Sequence, residues 1–596
     1  MKKVIGVTLL AAAALIMSGC SNKSGNNSTT SVDTVSGQNV IEDLTPTYSS
    51  ISEVTKALVD SLTDDQKRSE LPSTYSSDVY SISASGDYYF SGALTGAINI
   101  AKNSGNVHIY LDNVSLTVTD SSAISSKAGS NVVITLIGNN SLTNVLGSGN
   151  KDKHIIDSKE DLTINGSGSL TINSTKSAFG VDDKFIALGG TLNVTAVKHV
   201  VTADSIYIDG TSINATSVGK DILHAESDYD AVESAPEFDF GKGFIFIANG
   251  GITSTSVLGD ALQADSFVYI KDGTYSLATT PTWNDSYVAV ENEEKGMFSV
   301  STHQKVSRDS VRKGQTYAVL EESVKGIKVG EIDYYLATDT EQANELEVAS
   351  DNYTILIEGG TFNINTVDDA IHVNSGSAIV YGGSFTINTS DDGIHADNTL
   401  KIAGTANINV ASSYEGIEAE TIDISGGSTT INALDDGVNA TNSDLTEAQQ
   451  KTICQINISG GRLDVTVNPS GDRDGIDSNG GIKMTGGTVI TRGPNSSMAS
   501  PLDASNAIAV TGGTLIVIGH APGSSGGGFH APGGPGGGGG EEGTFSTSLT
   551  KTQSSSKGLS SGNHTVVVGS ETTSYTNAYT YSGYTTVYAS ATATIN

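Results

Sequence analysis

The chain has 596 residues and a net charge of −34, from 66 acidic and 32 basic side chains. This balance argues against nucleic acid as a partner, because phosphate binding requires clustered Lys and Arg. It suits a surface that binds divalent cations, or one that only needs to stay soluble. The 68 glycines, the single tryptophan and the charged fraction of 16% are untypical of a mixed α/β enzyme.

The first twenty residues predict a bacterial lipoprotein signal. A short basic start precedes an apolar run over 7–16, which is too short to span a bilayer. Small residues then lead to Cys20, and this arrangement is similar to the site at which lipoprotein cysteines are lipidated. We expect a signal peptide over 1–19 and an extracellular protein that contacts the membrane only through the lipid on Cys20. The alternative is an ordinary signal peptide with a chance cysteine.

Residues 20–80 predict a tether followed by an N-terminal cap. The beginning of this segment is rich in Ser, Asn, Thr and Gly, which is typical of a flexible linker. Ser50 to Glu53 has the spacing of a capping box, and the apolar residues that follow fall on one helical face. We therefore expect a short helix over 51–62 that covers the exposed end of the body.

Residues 81–518 carry an internal repeat. One row reads Gly-Gly-Thr-Phe-Asn-Ile-Asn from Gly359, and the next reads Gly-Gly-Ser-Phe-Thr-Ile-Asn from Gly382. The second small residue of four rows falls at 360, 383, 404 and 427, so these rows are 23, 21 and 23 residues apart. Short alternating runs separated by Gly and Asp turns predict about three strands per row, and stacked rows bury one continuous core. The repeat predicts an all-β fold, a right-handed parallel β-helix.

Other repeat and sheet folds fit less well. The leucine and asparagine spacing of a leucine-rich repeat is absent, and a β-sandwich would not reproduce the same residues in every row. The repeat is lost over 283–350, which predicts an insertion, and residues 444–451 predict one short helix. A Gly-rich flexible segment is expected over 519–543 and a β-rich tail over 544–596.

Acidic residues recur once per row. Asp369, Asp392, Glu415 and Asp436 form one column, and Asp368, Asp391 and Asp435 lie beside it. Neighbouring strands are about 4.8 Å apart, and like charges at this distance repel by about 1 kcal/mol per pair in water. Calcium, which takes six to eight oxygen ligands, would remove the repulsion, whereas magnesium needs a tighter octahedral site. The alternative is that Asp-Asp-Gly is only favourable turn chemistry.

A second polar column follows three residues after the first. Its members are His372, His395, Glu418 and Asn439. We expect a hydrogen-bonded ladder at a corner of the coil. A transition-metal site formed by the two histidines is the alternative, since imidazole is a suitable ligand for such metals.

These rows, and the Lys-Gly-Ile-Lys segment from Lys325, resemble the bacterial carbohydrate-binding β-helix family. The resemblance is specific over 325–510 and vague before it. It implies a secreted lipoprotein with a pectate-lyase-like solenoid, bound calcium, and affinity for cellulose and acidic, pectin-type polysaccharides. The calcium ligands that the resemblance implies are Asp368, Asp369, Asp391, Asp392, Glu415, Glu418, Asp435 and Asp436.

The expected function is therefore non-catalytic binding of a polysaccharide along the flat face of the solenoid. Tyr381, Tyr414 and Trp283 are the candidate aromatic residues for stacking against sugars, whereas Phe362 and Phe385 are expected in the core. One alternative is a calcium-dependent polysaccharide lyase, for which Arg473 or Lys483 would be the base. Another alternative is a surface adhesin with no glycan ligand.

Overall fold

The structure is a computed structural model. It describes residues 79–217, 219–226, 242–256, 259–279, 324–330, 354–443, 445–471, 473–496, 499–520, 522 and 544–596, with a few two-residue strands between them. The predicted signal peptide, Cys20, the tether and the cap helix over 51–62 lie outside the described residues. Trp283 also lies outside them, as does most of the predicted insertion over 283–350.

The described chain is nearly all β, as the repeat predicts, and 41 strands are hydrogen-bonded into one network. Most of these strands pair in parallel with the equivalent strand of the previous row and of the next row, and they form three columns. The first column contains the strands that follow the Gly-containing turns: Asn139–Val145, Ser169–Ser174, Thr191–Ala196, Ser205–Ser217, Phe244–Ser256, Thr274–Thr279, Thr361–Thr366, Ser384–Thr389, Asn407–Ser413, Ser428–Ala433, Arg462–Thr466, Thr488–Arg492 and Thr514–Gly519.

The second column consists mostly of three-residue strands. Its members are Val79–Ile82, Ala97–Ile100, Ile124–Ser126, Ile156–Ser158, Phe179–Val181, Val201–Ala203, Leu223–Ala225, Leu262–Ala264, Ile327–Val329, Ile371–Val373, Ile394–Ile402, Ile417–Ile424, Val438–Ala440 and Ile476–Ser478. Ile327–Val329 keeps this register within the predicted insertion.

The third column completes each row, and some of its strands continue into a neighbouring column. Its further members are Gly86–Leu94, Val107–Thr119, Val132–Ile137, Leu162–Gly166, Lys184–Ala187, Phe267–Ile270, Thr354–Ile357, Ser377–Val380, Gln455–Ile458, Gly481–Met484, Ala507–Val510 and Thr544–Thr547.

Alternation along each strand places one side chain inside the coil and the next outside. The interior is a single apolar cluster that runs through all the described rows. Phe362 and Phe385 are each 1% exposed and stack with ring centroids 4.4 Å apart, which confirms their predicted place in the core. Tyr275 extends this stack by one row, at 4.5 Å from Phe362. The Gly-Gly turns need glycine because their second residue has a positive φ, as at Gly383 (93°).

The helix predicted over 444–451 is confirmed as Glu447–Ile453, the only α-helix among the residues that the structure describes. It begins with a capping box between Thr446 and Gln449. No helix in the described residues is long and apolar enough to cross a membrane.

The C-terminal tail returns antiparallel onto the last rows. Tyr584–Ala589 pairs with Thr514–Gly519 and with Thr550–Ser554. The strands Gly562–Val568, Glu571–Asn577 and Ala593–Ile595 form a separate antiparallel sheet, which we call the C-terminal sheet. Short antiparallel pairs occur elsewhere: Tyr229–Asp230 with Glu237–Phe238, Val290–Glu291 with Ser301–Thr302, and Tyr334–Tyr335 with Asn344–Glu345.

Candidate functional site

Two columns of polar side chains flank one corner of the coil. The corner column contains the residue two positions before each second-column strand, and from the middle of the chain it reads His199, Asp221, Asp260, Lys325, Asp369, Asp392, Glu415, Asp436 and Asp474. The ladder column contains the middle residue of the same strands, and the strand register aligns its members as Thr202, His224, Gln263, Lys328, His372, His395, Glu418, Asn439 and Asp477.

The corner aspartates form a chain of hydrogen bonds between rows. In each case Oδ1 accepts the backbone N–H of the residue at the same position in the next row. The N–O distances are 2.7 Å from Asp260 to Asp221, 2.6 Å from Lys325 to Asp260, 3.0 Å from Asp392 to Asp369 and 2.6 Å from Asp474 to Asp436. One oxygen of each carboxylate therefore supports the turn, which is the role that turn chemistry alone would give it.

The second oxygen faces the ladder column, where basic groups meet it in the earlier rows. Asp221 Oδ2 lies 2.7 Å from Nδ1 of His224 and 3.3 Å from Nδ1 of His199. Asp392 Oδ2 lies 3.1 Å from Nδ1 of His395. Burial would lower the pKa of His224, but the Asp221 carboxylate raises it to about 9. Each of these carboxylates therefore has an imidazole partner within the protein.

Lys325 provides a full positive charge in the middle of the corner column. Its Nζ lies 2.8 Å from Asp368 Oδ1 and 3.0 Å from Asp369 Oδ2, and only 11% of its side chain is exposed. Burial would lower the pKa of Lys325, but the two carboxylates hold it above its ordinary value. Burial would raise the pKa of Asp369, but Lys325 and His372 hold it well below its usual range. Lys325 therefore forms an internal salt bridge with the two aspartates of the next row.

Later rows contain acids and an amide. Burial, followed by the neighbouring Glu418, raises the pKa of Glu415 well above its ordinary value. Burial and the nearby Asp477 raise the pKa of Asp474 in the same way, and burial beside Asp503 raises that of Asp477 to about 7. Burial is the largest cause of each shift, and the neighbouring acids add to it.

Asn439 lies among these acids and is oriented by two of them. Its Nδ2 donates to Glu415 Oε2 and to Glu418 Oε2, at 3.0 Å in both cases. Its Oδ1 is buried and has no hydrogen-bond partner among the described residues. A buried amide oxygen without a donor is costly, and it is also a ligand that calcium accepts.

All eight predicted calcium ligands are buried or half-buried at this corner. Asp368, Asp369 and Asp391 can each place an oxygen within 4.8 Å of the others, and Asp392, His395 and Glu418 do the same with one ligand atom each. Burial, with Asp369 and Asp392 nearby, raises the pKa of Asp391 to about 9. That these residues bind calcium stays a prediction.

The predicted ladder is confirmed by its contacts. His372 and His395 are aligned in neighbouring strands with ring centroids 4.8 Å apart. His372 Nδ1 lies 2.7 Å from Asp369 Oδ2, while its Nε2 contacts the Asn374 side chain. Asp369, His372 and His395 can each place one ligand atom within 4.8 Å of the others. A transition-metal site at these histidines therefore stays an untested alternative.

The two described tyrosines that were expected to stack on sugars lie at different corners. Tyr414 is at the corner of the carboxylates, where its backbone N–H donates to the Asp391 carbonyl at 2.8 Å. Burial and the adjacent Asp435 raise its pKa. Tyr381 packs outside the third column against Ile379 and its neighbours, and the Lys401 Nζ lies 5.7 Å from its ring centroid. The structure therefore does not bring these tyrosines together.

The two bases considered for a lyase are also apart from the corner column's ion pairs. Arg473 Nη1 donates to the Ser470 carbonyl at 2.5 Å. Lys483 is exposed in the third-column strand Gly481–Met484. Neither the hydrogen bond of Arg473 nor the exposed position of Lys483 assigns these residues a role in proton abstraction.

Sequence reasoning missed several members of the columns. Lys325 was noted only as part of a motif, because nothing in its spacing shows that it falls in the row before Asp369. Asp474 and Asp477 stand three residues apart, as Asp369 and His372 do, and this spacing was the signal that could have found them. Asp221 and His224 were not missed, since the segment from Asp221 to Ala225 matches the same element of the repeat in the sequence.

A sequence-family model described as carbohydrate-binding domain-containing protein matches residues 76–393 and 390–596. These matches cover most of the chain, so it belongs to this family, and the family supports a carbohydrate-binding role. Neither the curated proteins nor the solved structures contain a significant match.

We predict that Lys325→Met destabilises the protein by about 3–5 kcal/mol, because it leaves two buried carboxylates without their counter-charge. Urea unfolding followed by circular dichroism measures this loss. The matched control is Lys483→Met, which removes an exposed lysine and should change the free energy of unfolding by less than about 0.5 kcal/mol. Equal stability of the two variants would contradict the charge-balancing role of Lys325.

Proposed function

We propose that this protein is an extracellular, lipid-anchored and non-catalytic receptor for plant-type or acidic polysaccharide, and that calcium held by the acidic rows takes part in binding. The observation that carries the proposal is the stacking of acids in the corner and ladder columns after Asp392, where the strand register aligns Glu418, Asn439 and Asp477. Burial and neighbouring acids raise the pKa values of Glu415, Asp474 and Asp477. Membership of a carbohydrate-binding family supports the choice of ligand.

The donor set in the later rows suits calcium. Glu415, Glu418, Asp436 and Asp477 supply carboxylate oxygens, and Asn439 Oδ1 supplies an amide oxygen that has no other partner among the described residues. A bound divalent cation would offset the repulsion that now favours protonated carboxyl groups. A carboxylate of an acidic sugar could then share the same cation, which would couple metal binding to glycan binding.

Not all of the predicted ligands fit equally well. Lys325 already places an ammonium group against Asp368 and Asp369, so a cation at these two residues would have to displace it or share the site. We therefore assign calcium first to the rows after Asp392. Asp391 and Asp435 flank these rows and remain proposed ligands.

We also propose that the stacked rows wind as a right-handed parallel β-helix. The parallel register between successive rows supports this assignment. Connections between parallel strands of one sheet are right-handed in about 98% of cases. A crystal structure with left-handed coils would contradict it.

The lipid anchor has its own test. Metabolic labelling with palmitate in a bacterial host should mark the full-length protein, and Cys20→Ser should abolish the label while Cys454→Ser leaves it unchanged. The two cysteines make this a matched pair, since Cys454 is buried in the structure. Labelling that persists in Cys20→Ser would contradict lipidation at this position.

Retention on insoluble cellulose and on pectate gel tests the proposed function. The mature protein without its lipid is incubated with each polymer in calcium and in EDTA, and bound protein is measured by sedimentation. We expect retention on pectate in calcium, a loss of at least tenfold in EDTA, and no release of soluble sugar. The double variant Glu415→Gln/Glu418→Gln should lose the calcium dependence, whereas Glu571→Gln, an exposed tail position, should not.

Failure of both polymers to retain the protein under every condition would reject the proposed function. Retention that EDTA leaves unchanged would make any bound metal structural and remove it from the interface. An unsaturated, ultraviolet-absorbing product would instead indicate a lyase.

A further inference from the structure

A second polar feature lies away from the corner column. A cleft of about 650 Å³ opens where the C-terminal sheet meets the outer face of the first column. This volume is within the range of small-ligand sites, about 300–1,000 Å³. The residues that form its walls include Thr430, Arg462, Asp464, Asn563, His564 and Tyr575.

Two independent parts of the fold build the walls. Thr430 and Asp464 are paired in neighbouring first-column strands, and both point outward. The opposite wall is the antiparallel pair Gly562–Val568 and Glu571–Asn577. The Arg462 Nη2 donates to the Ser574 carbonyl at 2.9 Å, which ties the walls together. An apolar cluster beneath the C-terminal sheet fixes its position on the last rows.

Two arginines hold the carboxylate of Asp464, in the wall of the cleft, in one orientation. Arg492 is fully buried, and its Nη1 donates to Asp464 Oδ1 at 2.6 Å while its Nε donates to Asn577 Oδ1 at 2.8 Å. The Arg462 Nη2 donates to Asp464 Oδ2 at 2.5 Å. Two guanidinium groups thus balance the negative charge of Asp464. The cleft therefore presents fixed hydrogen-bond donors and acceptors, and it does not share the acidic excess of the whole chain.

The outer face that leads to this cleft carries only uncharged hydrogen-bonding groups in the rows before it. We call it the Thr/Asn face, and it is formed by the outward residues of four strands: Thr361, Asn363, Asn365, Ser384, Thr386, Asn388, Asn407, Asn409, Ser428, Thr430 and Asn432. The register aligns Asn363, Thr386, Asn409 and Thr430 in a line that ends at Asp464. Such a surface offers no counter-charge to a charged ligand but many donors and acceptors to hydroxyl groups.

We propose that the cleft binds a segment of a neutral polysaccharide, recognised through its hydroxyl groups by Arg462, Asp464 and the surrounding amide and hydroxyl side chains. The proposal rests on the carbohydrate-binding function and places neutral glycan at a site separate from the acidic rows. Planar polar groups with fixed geometry discriminate hydroxyl positions well, because an unpaired buried polar group is costly.

Titration calorimetry with cellohexaose, a neutral soluble glucan, tests this assignment. Thr430→Arg places a long side chain in the mouth of the cleft and should weaken binding at least tenfold. The matched control is Thr253→Arg, an exposed position of the same column five rows earlier and about 24 Å away, which should leave the affinity unchanged. Asn563→Ala, also exposed, removes one amide of the cleft and should weaken binding even if Thr430→Arg folds poorly.

The outcomes separate the cleft from the function as a whole. If Thr430→Arg, Asn563→Ala and the wild type bind cellohexaose with equal affinity, the cleft is not the glycan site. The proposed carbohydrate-binding function would still stand. Retention of wild type on pectate gel without any binding of cellohexaose would lead to the same conclusions. Absence of binding to cellohexaose, cellulose and pectate alike would overturn both proposals.

Discussion

The hydrogen bond from the backbone of one row to the corner aspartate of the row before is the constraint on which the polar corner of this structure depends. It uses Oδ1 of Asp221, Asp260, Asp369 and Asp436 at the same position of the coil. Where successive rows use this acceptor, their carboxylates lie about 4.8 Å apart. The repeat therefore creates a line of like charges as a consequence of its own geometry.

The protein balances that line differently along its length. Histidines accompany Asp221 and Asp392, and Lys325 neutralises Asp368 and Asp369. After Asp392 the corner and ladder columns change to Glu, Asp and Asn, and the pKa values rise. The later rows lack the basic partners of the early rows, and we propose that a bound cation takes their place and couples metal binding to glycan binding.

The sequence predicted the repeating parts of this molecule well, because they recur. The Gly-Gly turns and the alternating strands predicted the all-β fold, and the row positions of Phe362 and Phe385 predicted their place in the core. The His372 and His395 ladder also followed from row alignment. Each of these features depends on residues that stand at the same place in neighbouring rows.

Contacts between distant parts of the chain could not be predicted from the alignment of neighbouring rows. Lys325 reaches Asp369 across a stretch in which the repeat is not visible, so its row could not be aligned from the sequence. The cleft needs the antiparallel return of the tail, which brings Ser574 to Arg462, and no periodicity encodes that contact. A charge at an outward position, where other rows have Ser, Thr or Asn, was the only sign of Arg462 and Asp464.

Calorimetric titration of the metal-free protein with calcium, in buffers of different ionisation enthalpy, tests the central claim most directly. Without the ion, Asp477 with its pKa of about 7 and Asp391 with its pKa of about 9 hold protons near neutral pH. Ligand carboxyls must lose these protons to bind a metal. We expect calcium binding with proton release at pH 6.5, and release of fewer protons at pH 9. No binding, or binding without proton release at pH 6.5, would contradict the account.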